Sequence, residues 1–180
     1  METQKIEHGN SGVSVSVRRA VSSDVDFFRN LRNLPEAVEL SESKQKVAAE
    51  DHELWFKEAL LSSNIRLFVL QTSYAANHQK TDIGFLRFES REHEQDESVW
   101  FVSIVLLAAY RGKGVGRRAL LLAIKEWEAS LHGPHDALIA RVHPQNHASR
   151  RLFEGAGFME VDQSSGFLTL RRHQLQDPIN

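Results

Sequence analysis

The chain has no cysteine. That excludes disulfides, cysteine–zinc sites and a thiol nucleophile, and it suits a cytoplasmic protein. No apolar run approaches the roughly 20 residues of a membrane helix, so no membrane partner is expected. Neither sign of charge is in excess: 22 Lys and Arg stand against 24 Asp and Glu, a formal net charge of −2. General nucleic-acid binding is therefore not expected. The first twelve residues are polar, which argues against a signal peptide.

What is present is an ordinary globular composition, 41% hydrophobic over 180 residues, enough for one domain with a real core. Residues 1–12 read as a mobile tail, 13–172 as one domain, and 173–180 as a polar tail. Val13-Ser14-Val15-Ser16-Val17 alternates as a strand with one wet face. Ser22-Ser23-Asp24 offers helix caps before Val25, Phe28, Leu31 and Arg32, and Pro35 ends or interrupts that helix. Glu36 to Ala49 is polar, a flexible connection or short helix. Ala49 to Leu61 reads as a helix with His52, Trp55, Phe56, Ala59 and Leu60 on one side. Strands follow at Arg66–Leu70 and Ile83–Phe88, with a hairpin loop over Ser73–Thr81. Arg91 to Glu97 is a charged turn. Ser98–Leu107 is a strand, Ala119–Leu131 an amphipathic helix that Gly133-Pro134 breaks, and Ala137–Val142 a strand. Asn146–Glu154 is a short helix, and Phe158–Val161 with Phe167–Leu170 a final hairpin. This order describes a mixed α/β sheet rather than a doubly wound array.

The chain is organised around Tyr110-Arg111-Gly112-Lys113-Gly114-Val115-Gly116-Arg117, between a strand and a helix. Glycines let an oxyanion approach the backbone, and the helix dipole puts its positive end behind the turn. Arg111, Lys113, Arg117 and Arg118 add local charge. The bland reading is a tight turn with a solvated basic rim. Two better-known phosphate loops do not fit. A Walker loop wants Gly-Lys-Ser/Thr where Gly116 is followed by Arg117-Arg118, and a dinucleotide fingerprint belongs at the first strand.

The stretch Arg111 to Gly116 resembles the acyl-CoA pyrophosphate loop of the GNAT superfamily of N-acetyltransferases, usually Gln/Arg-x-x-Gly-x-Gly/Ala. Asn146-x-x-Ser149-x-x-Leu152-Phe153-Glu154-x-x-Gly157-Phe158 is similar to that family's second signature. The resemblance implies a mostly antiparallel sheet of about seven strands with splayed central parallel strands and about four helices. It implies acetyl-CoA or coenzyme A as cofactor, its pyrophosphate on the amides of Arg111, Gly112, Lys113, Gly114, Val115 and Gly116, with Arg117 at the helix start. The pantetheine arm would pair with Ile104, Val105 and Leu106. Asn146, Ser149, Leu152 and Phe153 would line its other side, Asn146 also being a natural helix N-cap. The reaction implied is direct attack of an amine on the thioester, which needs a proton acceptor and a group to protonate or stabilise the thiolate. By match, the catalytic glutamate of some members falls at about Trp100 and the tyrosine that often protonates the thiolate at Phe153, and neither can transfer a proton. Ser103, His143 and Glu97 are the candidates by position, each with an ordinary reading as a core hydroxyl or a solvated strand end.

The resemblance extends to the acceptor. Arg29-Asn30-Leu31-Arg32-Asn33-Leu34-Pro35, His52-x-x-Trp55-Phe56 and Val102-Ser103-Ile104 are similar to the branch acting on nucleotide-linked amino sugars. The Arg-Asn and His-x-x-Trp-Phe patterns also occur in the branch acting on ribosomal-protein N-termini. Arg32, Asn33 and Trp55 are the implied acceptor residues. Against this, Trp55 reads as core packing and Arg32 as a surface ion pair. Glu36, Glu39 and Glu42 could face a cationic amine or be a solvated run. The expected partner is a small-molecule amine or a protein N-terminus, and a homodimer is open. A coenzyme A-binding sensor without turnover is the alternative outside enzymes, motivated by Trp100 and Phe153.

Overall fold

Alternation in the first described residues does build an edge strand. The computed structural model describes residues 13–74, 79–91, 99–129, 137–164 and 166–173. Strand β1 (Val13–Arg19) buries Val15 and Val17 completely or nearly so and pairs antiparallel with β2 (Ile65–Tyr74). A 3-10 turn at Ser22–Asp24 leads into α1 (Val25–Arg32). Pro35 does not simply end a helix. It is the first residue of a separate short helix, α2 (Pro35–Glu39), where its missing N–H and fixed φ are no handicap. A connector over residues 40–48 leads to α3 (Ala49–Leu61).

The first strands run longer than alternation suggested. β2 continues to Tyr74 and β3 (Lys80–Arg91) begins at Lys80, so Ser73, Tyr74, Lys80 and Thr81 of the expected hairpin loop at Ser73–Thr81 belong to the ladder. Two of the polar side chains there reach partners: the Ser14 and Ser73 hydroxyls are 2.6 Å apart, and Gln71 donates to Asp82 at 2.8 Å. β4 (Val99–Leu106), α4 (Val115–Ala129), β5 (Ala137–Val142), α5 (His147–Glu154), β6 (Met159–Ser164) and β7 (Phe167–His173) complete the chain. The α4 helix starts at Val115, a turn earlier than its apolar periodicity, because Val115 and Gly116 are already buried. Leu131, Gly133-Pro134, most of the charged turn, residues 1–12 and residues 174–180 lie outside the described residues, while His173, expected in the polar tail, ends β7.

The seven strands form one sheet in the order β1-β2-β3-β4-β5-β7-β6. Every described pairing is antiparallel except β4 with β5. With five helices among the described residues, one of them short, this is the mixed, mostly antiparallel architecture expected. The sheet separates two cores. Under α4 and α5, Trp100, Trp127, Leu138, Phe153 and Leu170 join Val15 and Phe68. Under α1 and α3, Phe28, Leu31, Phe56, Val69 and Phe85 form the second. Burial of apolar surface on both faces is what fixes the register of the central strands.

Candidate active site

The site begins where two parallel strands separate. β4 and β5 pair only at Val99 with Ala137, Trp100 with Leu138 and Phe101 with Ile139. Beyond that, Ala140 to Val142 pair with β7, and Val102 to Leu106 pair with β3. Main-chain direction follows from one bond: the Leu107 N–H donates to the Ile83 carbonyl at 2.9 Å. In an antiparallel ladder N–H and C=O groups alternate sides. Odd residues of β4 therefore spend theirs on β3, while Val102, Ile104 and Leu106 turn theirs into the gap. The expected arm contact at Ile104 is placed to be made. Val105 is not: its main chain pairs with Phe85 and its side chain packs on the α1–α3 core. Val102, which the motif match did not single out, has the direction that Val105 lacks.

At the end of β4 the chain makes a 3-10 turn at Ala108–Tyr110 and enters the glycine turn. Gly112 and Gly114 have φ of +71° and +72°, left-handed backbone that glycine adopts without strain. A Cβ on either would meet nothing within 4 Å. Gly116 differs: a Cβ there would lie 2.6 Å from Leu106 Cδ1 and 2.8 Å from Leu152 Cδ1. It lets the first turn of α4 press against β4 and α5. Since α4 opens at Val115, the N–H groups of Val115, Gly116 and Arg117 have no carbonyl four residues back inside the helix. The turn is closed by Arg118 N–H to the Gly114 carbonyl at 3.2 Å. Open glycines, unspent helix N–H groups and the exposed side chains of Lys113 and Arg117 make a fitting cradle for a phosphate group.

Arg111 does not join that cradle with its side chain. Its guanidinium folds back onto the Leu106 carbonyl, 2.9 Å from Nε and 2.7 Å from Nη2, and meets Glu36 at 3.0 Å. Glu36 is held below the usual carboxylate range first by its own backbone N–H and then by Arg111. On the other side of the gap, Asn146 caps α5. Its Oδ1 accepts from the Ser149 N–H at 3.0 Å, which realises the N-cap role and leaves its Nδ2 for another partner. Leu152 touches the Gly116 position. Phe153 is 3% exposed and packs edge-to-face on Phe158 at 5.1 Å, so it is core rather than a wall of the gap.

Strand parity also settles Trp100. It is 6% exposed and lies edge-to-face on Trp127 of α4 at 6.0 Å. Its side chain is on the α4 side of the sheet, where no group could reach a reactant on the other face. Ser103 is on the α1–α3 side, opposite Arg87. His143, just past β5, sits edge-on to Phe167 at 5.5 Å, and its Nδ1 accepts from the Gln145 N–H at 3.3 Å. Glu97 lies outside the described residues.

The α1–α3 segment overlies the gap and is pinned on both sides of it. Glu36 reaches Arg111 beyond β4, and Glu42 meets Arg141 of β5 at 2.8 Å. Asn33 fixes the connector, giving a hydrogen bond to the Val47 carbonyl at 2.9 Å and taking one from its N–H at 2.8 Å. Both ends of its amide are spent. Arg32 gives Nη2 to Ser43 at 2.9 Å and to Ser41 at 3.3 Å. Trp55 is half-buried, its ring 5.4 Å from that of His52 and 5.8 Å below the Arg87 guanidinium. Among the described residues no His, Asp and Glu group could hold a metal ion.

A family model described as acetyltransferase (GNAT) domain matches residues 15–159. No curated protein matches the chain by sequence. Among solved structures it is similar to yncA from Salmonella typhimurium with its cofactor acetyl-CoA, at TM-score 0.69 and 20% identity over 92% of this chain and 96% of that one. It is similar to spermidine N-acetyltransferase from Vibrio cholerae in complex with CoA and spermine, at TM-score 0.67 and 19% identity over 87% and 92%. A third is the aminoglycoside acetyltransferase AAC(6')-Ib with coenzyme A, at TM-score 0.67 and 16% identity over 89% and 95%.

Proposed function

The chain belongs to the acetyltransferase (GNAT) domain family, and from that premise we propose that it moves an acetyl group from acetyl-CoA to a primary amine. The observation that carries this is the parting of β4 and β5 after Phe101 and Ile139, beside a glycine turn that opens a helix. An extended arm laid in that gap finds the main-chain groups of Val102 and Ile104 and the N–H of Leu106, whose carbonyl Arg111 already takes. A pyrophosphate finds the N–H groups of the turn and of the first residues of α4, with Lys113 and Arg117 beside them.

Acetyl-CoA supplies the acetyl group as a thioester, already activated toward an amine. The residues of this chain bring the amine to it and exclude water, and alignment in one slot supplies much of the rate. A main-chain N–H of β4 facing the gap polarises the thioester carbonyl. Ser103 is the candidate that faces the acceptor side of the sheet, and its hydroxyl can relay the proton of the attacking amine to water. Asn146 Nδ2 is the group of α5 left to hold the arm. Coenzyme A binding without turnover is the second reading, favoured by the burial of Trp100 and Phe153 at the positions where the resemblance expected proton-transfer groups.

For the acceptor, the resemblance of Arg32-Asn33 and His52-x-x-Trp55 supports a nucleotide-linked amino sugar, with a protein N-terminus as the alternative. A thermal shift with acetyl-CoA tests the cofactor, a rise in midpoint being expected by mass action. No rise near 1 mM, far above the usual affinity for such a cofactor, sinks the proposal. Thiol release with amines then separates an enzyme from a sensor, and turnover of peptides but not of UDP-amino sugars removes the sugar reading.

A further inference from the structure

Among the described residues, the acceptor face holds a cation without a carboxylate partner. Its carboxylates are nearly all spoken for. Glu36 is paired with Arg111, Glu42 with Arg141, Asp26 with Arg29 at 2.7 Å and Glu89 with Arg87 at 3.4 Å. Arg32 is not paired with a carboxylate among the described residues. Its Nη1 is buried and meets no hydrogen-bond acceptor, while Nη2 has only the serine hydroxyls. Burial, and then the like charge of Arg87, hold the Arg32 guanidinium below its ordinary pKa. A charge placed this way costs stability unless something else compensates it.

Connector geometry does not require Arg32. Asn33 already clamps Val47 at both amide ends, and Ser41 binds the Val38 carbonyl at 2.8 Å and the Lys44 N–H at 3.2 Å. Arg32 lies instead at the end of α1, which packs over β3 and β4. Arg87, the like charge it feels, is opposite Ser103 on the next strand, so both cations stand beside the point where the gap opens. Trp55 lies beneath Arg87 and gives the place an apolar wall.

We propose that the acceptor amine of this chain also carries an oxyanion, a carboxylate or a phosphate, and that Arg32 anchors it with Arg87 alongside. This rests on the acetyltransferase reading above and narrows its substrate class. The oxyanion reaches Nη1 as the 40–48 connector, free of helix and strand, moves off the Arg32 side chain. A polycation finds no cluster of unpaired carboxylates among the described residues of this face.

The test uses the full chain, acetyl-CoA and matched amines: phosphoethanolamine against ethanolamine, γ-aminobutyrate against butylamine, and spermine. The anionic member of at least one pair should show kcat/KM about tenfold or more above its neutral partner, the lower end for a charged hydrogen bond. The pair with the larger ratio tells phosphate from carboxylate. Arg32→Gln should abolish the preference by raising acceptor KM, with the KM of acetyl-CoA unchanged. Ser43→Ala, which removes the shorter of the two Nη2 contacts and leaves Nη1 untouched, should keep the preference; a purely structural Arg32 would suffer in both variants. Equal or better turnover of the neutral amines or spermine overturns the proposal, as does a preference that survives Arg32→Gln. If no amine turns over, the midpoint of the coenzyme A complex is read instead. A rise with an anionic amine at about 10 mM, lost in Arg32→Gln, supports the anchor, and no rise overturns it. A chain that does not shift with acetyl-CoA at all fails in the cofactor arm, and then the acetyltransferase reading falls with the anchor.

Discussion

Arg111 holds the Leu106 carbonyl in a fork, Nε at 2.9 Å and Nη2 at 2.7 Å. By strand parity that carbonyl faces the gap between β4 and β5. The arginine of the glycine motif thus closes the free edge of the strand just before the turn, and it carries Glu36 of α2 on the same guanidinium. A charge that served only to attract phosphate would be replaceable by lysine. A fork would not, because a single ammonium cannot reproduce two parallel donors. We expect Arg111→Lys and Arg111→Gln to be equally damaging, each raising the Kd for coenzyme A about tenfold, as loss of a charged hydrogen bond would. Calorimetric titration of both variants checks this. Recovery in Arg111→Lys would show that charge, not geometry, is what matters.

The two kinds of glycine in the turn should fail differently. Gly116→Ala drives a methyl into Leu106 and Leu152, at 2.6 Å and 2.8 Å before relaxation. Overpacking of this sort costs roughly 1–3 kcal/mol, read as a lower unfolding midpoint. Gly114→Ala has open space but a φ of +72°, and left-handed backbone costs an L-residue about 1–2 kcal/mol. Its methyl also stands where the anion would approach. Coenzyme A affinity should therefore fall in Gly114→Ala out of proportion to the loss of stability. If the two variants lose affinity and stability in the same ratio, the turn is only a turn.

The catalytic candidates separate by face. Ser103→Ala should lower kcat while leaving the KM of acetyl-CoA and the midpoint nearly unchanged. Trp100→Phe should do the reverse, since Trp100 packs on Trp127 across the sheet: about 1–2 kcal/mol of stability lost with the removed ring area, and kcat retained. Steady-state kinetics beside thermal unfolding of both variants reads this out. Loss of kcat in Trp100→Phe at constant stability would return Trp100 to the reaction.

Much of this arrangement was legible before the structure. Alternation located β1, and mainly apolar stretches at Arg66–Leu70, Ile83–Phe88, Ser98–Leu107 and Ala137–Val142 located β2 to β5. Glycine spacing at Gly112, Gly114 and Gly116 with Asn146 and Ser149 pointed to the family. The misses have a common cause, in that they depend on contacts remote in sequence. Ser73 and Tyr74 read as loop because the partners that hold them in the sheet, Ser14 and Val13, lie on β1. Arg111 and Glu36 are 75 positions apart, so the motif's arginine could not be seen turning from the phosphate site. Trp100 was matched to a catalytic position because a strand shows its alternation without saying which face its helix covers. Trp127 decides that, from the next helix.

An ion pair far from the gap should dominate acid sensitivity at low pH. Asp24 takes both guanidinium ends of Arg18, at 2.7 Å and 2.8 Å, and the Val21 N–H at 2.8 Å. Burial alone would raise its pKa, yet the Arg18 and Val21 bonds outweigh it and hold it below the usual carboxylate value. A depressed carboxylate stabilises the fold above its unfolded pKa near 4 and loses that as pH falls through the folded value. Asp24→Asn should cost about 2 kcal/mol at pH 7, a paired-charge loss discounted for the partial exposure of Arg18, and much less at pH 3. Urea unfolding at the two pH values measures it, and an equal cost at both would assign the loss to packing.

His52 should govern the milder range, between pH 7 and pH 5. Its side chain is buried, stacks on Phe56 at 5.8 Å, and leaves Nδ1 without a partner. Burial first, then Arg29 with a smaller contribution from Arg32, pushes its pKa down against the opposing pull of Asp26. A histidine depressed in the fold but near 6.5 when unfolded binds more protons in the unfolded chain, so stability falls as pH drops below about 6.5. His52→Phe removes that proton uptake and the orphaned nitrogen while keeping a ring against Phe56. Its unfolding free energy should equal or exceed the wild type at pH 5, and its decline from pH 7 to pH 5 should be shallower. The same decline in both proteins would mean that the imidazole takes up its proton in the folded chain, which can happen only if the α1–α3 face opens far enough to hydrate it. That outcome would make the acceptor face more mobile than its packing against Phe28 and Phe56 implies.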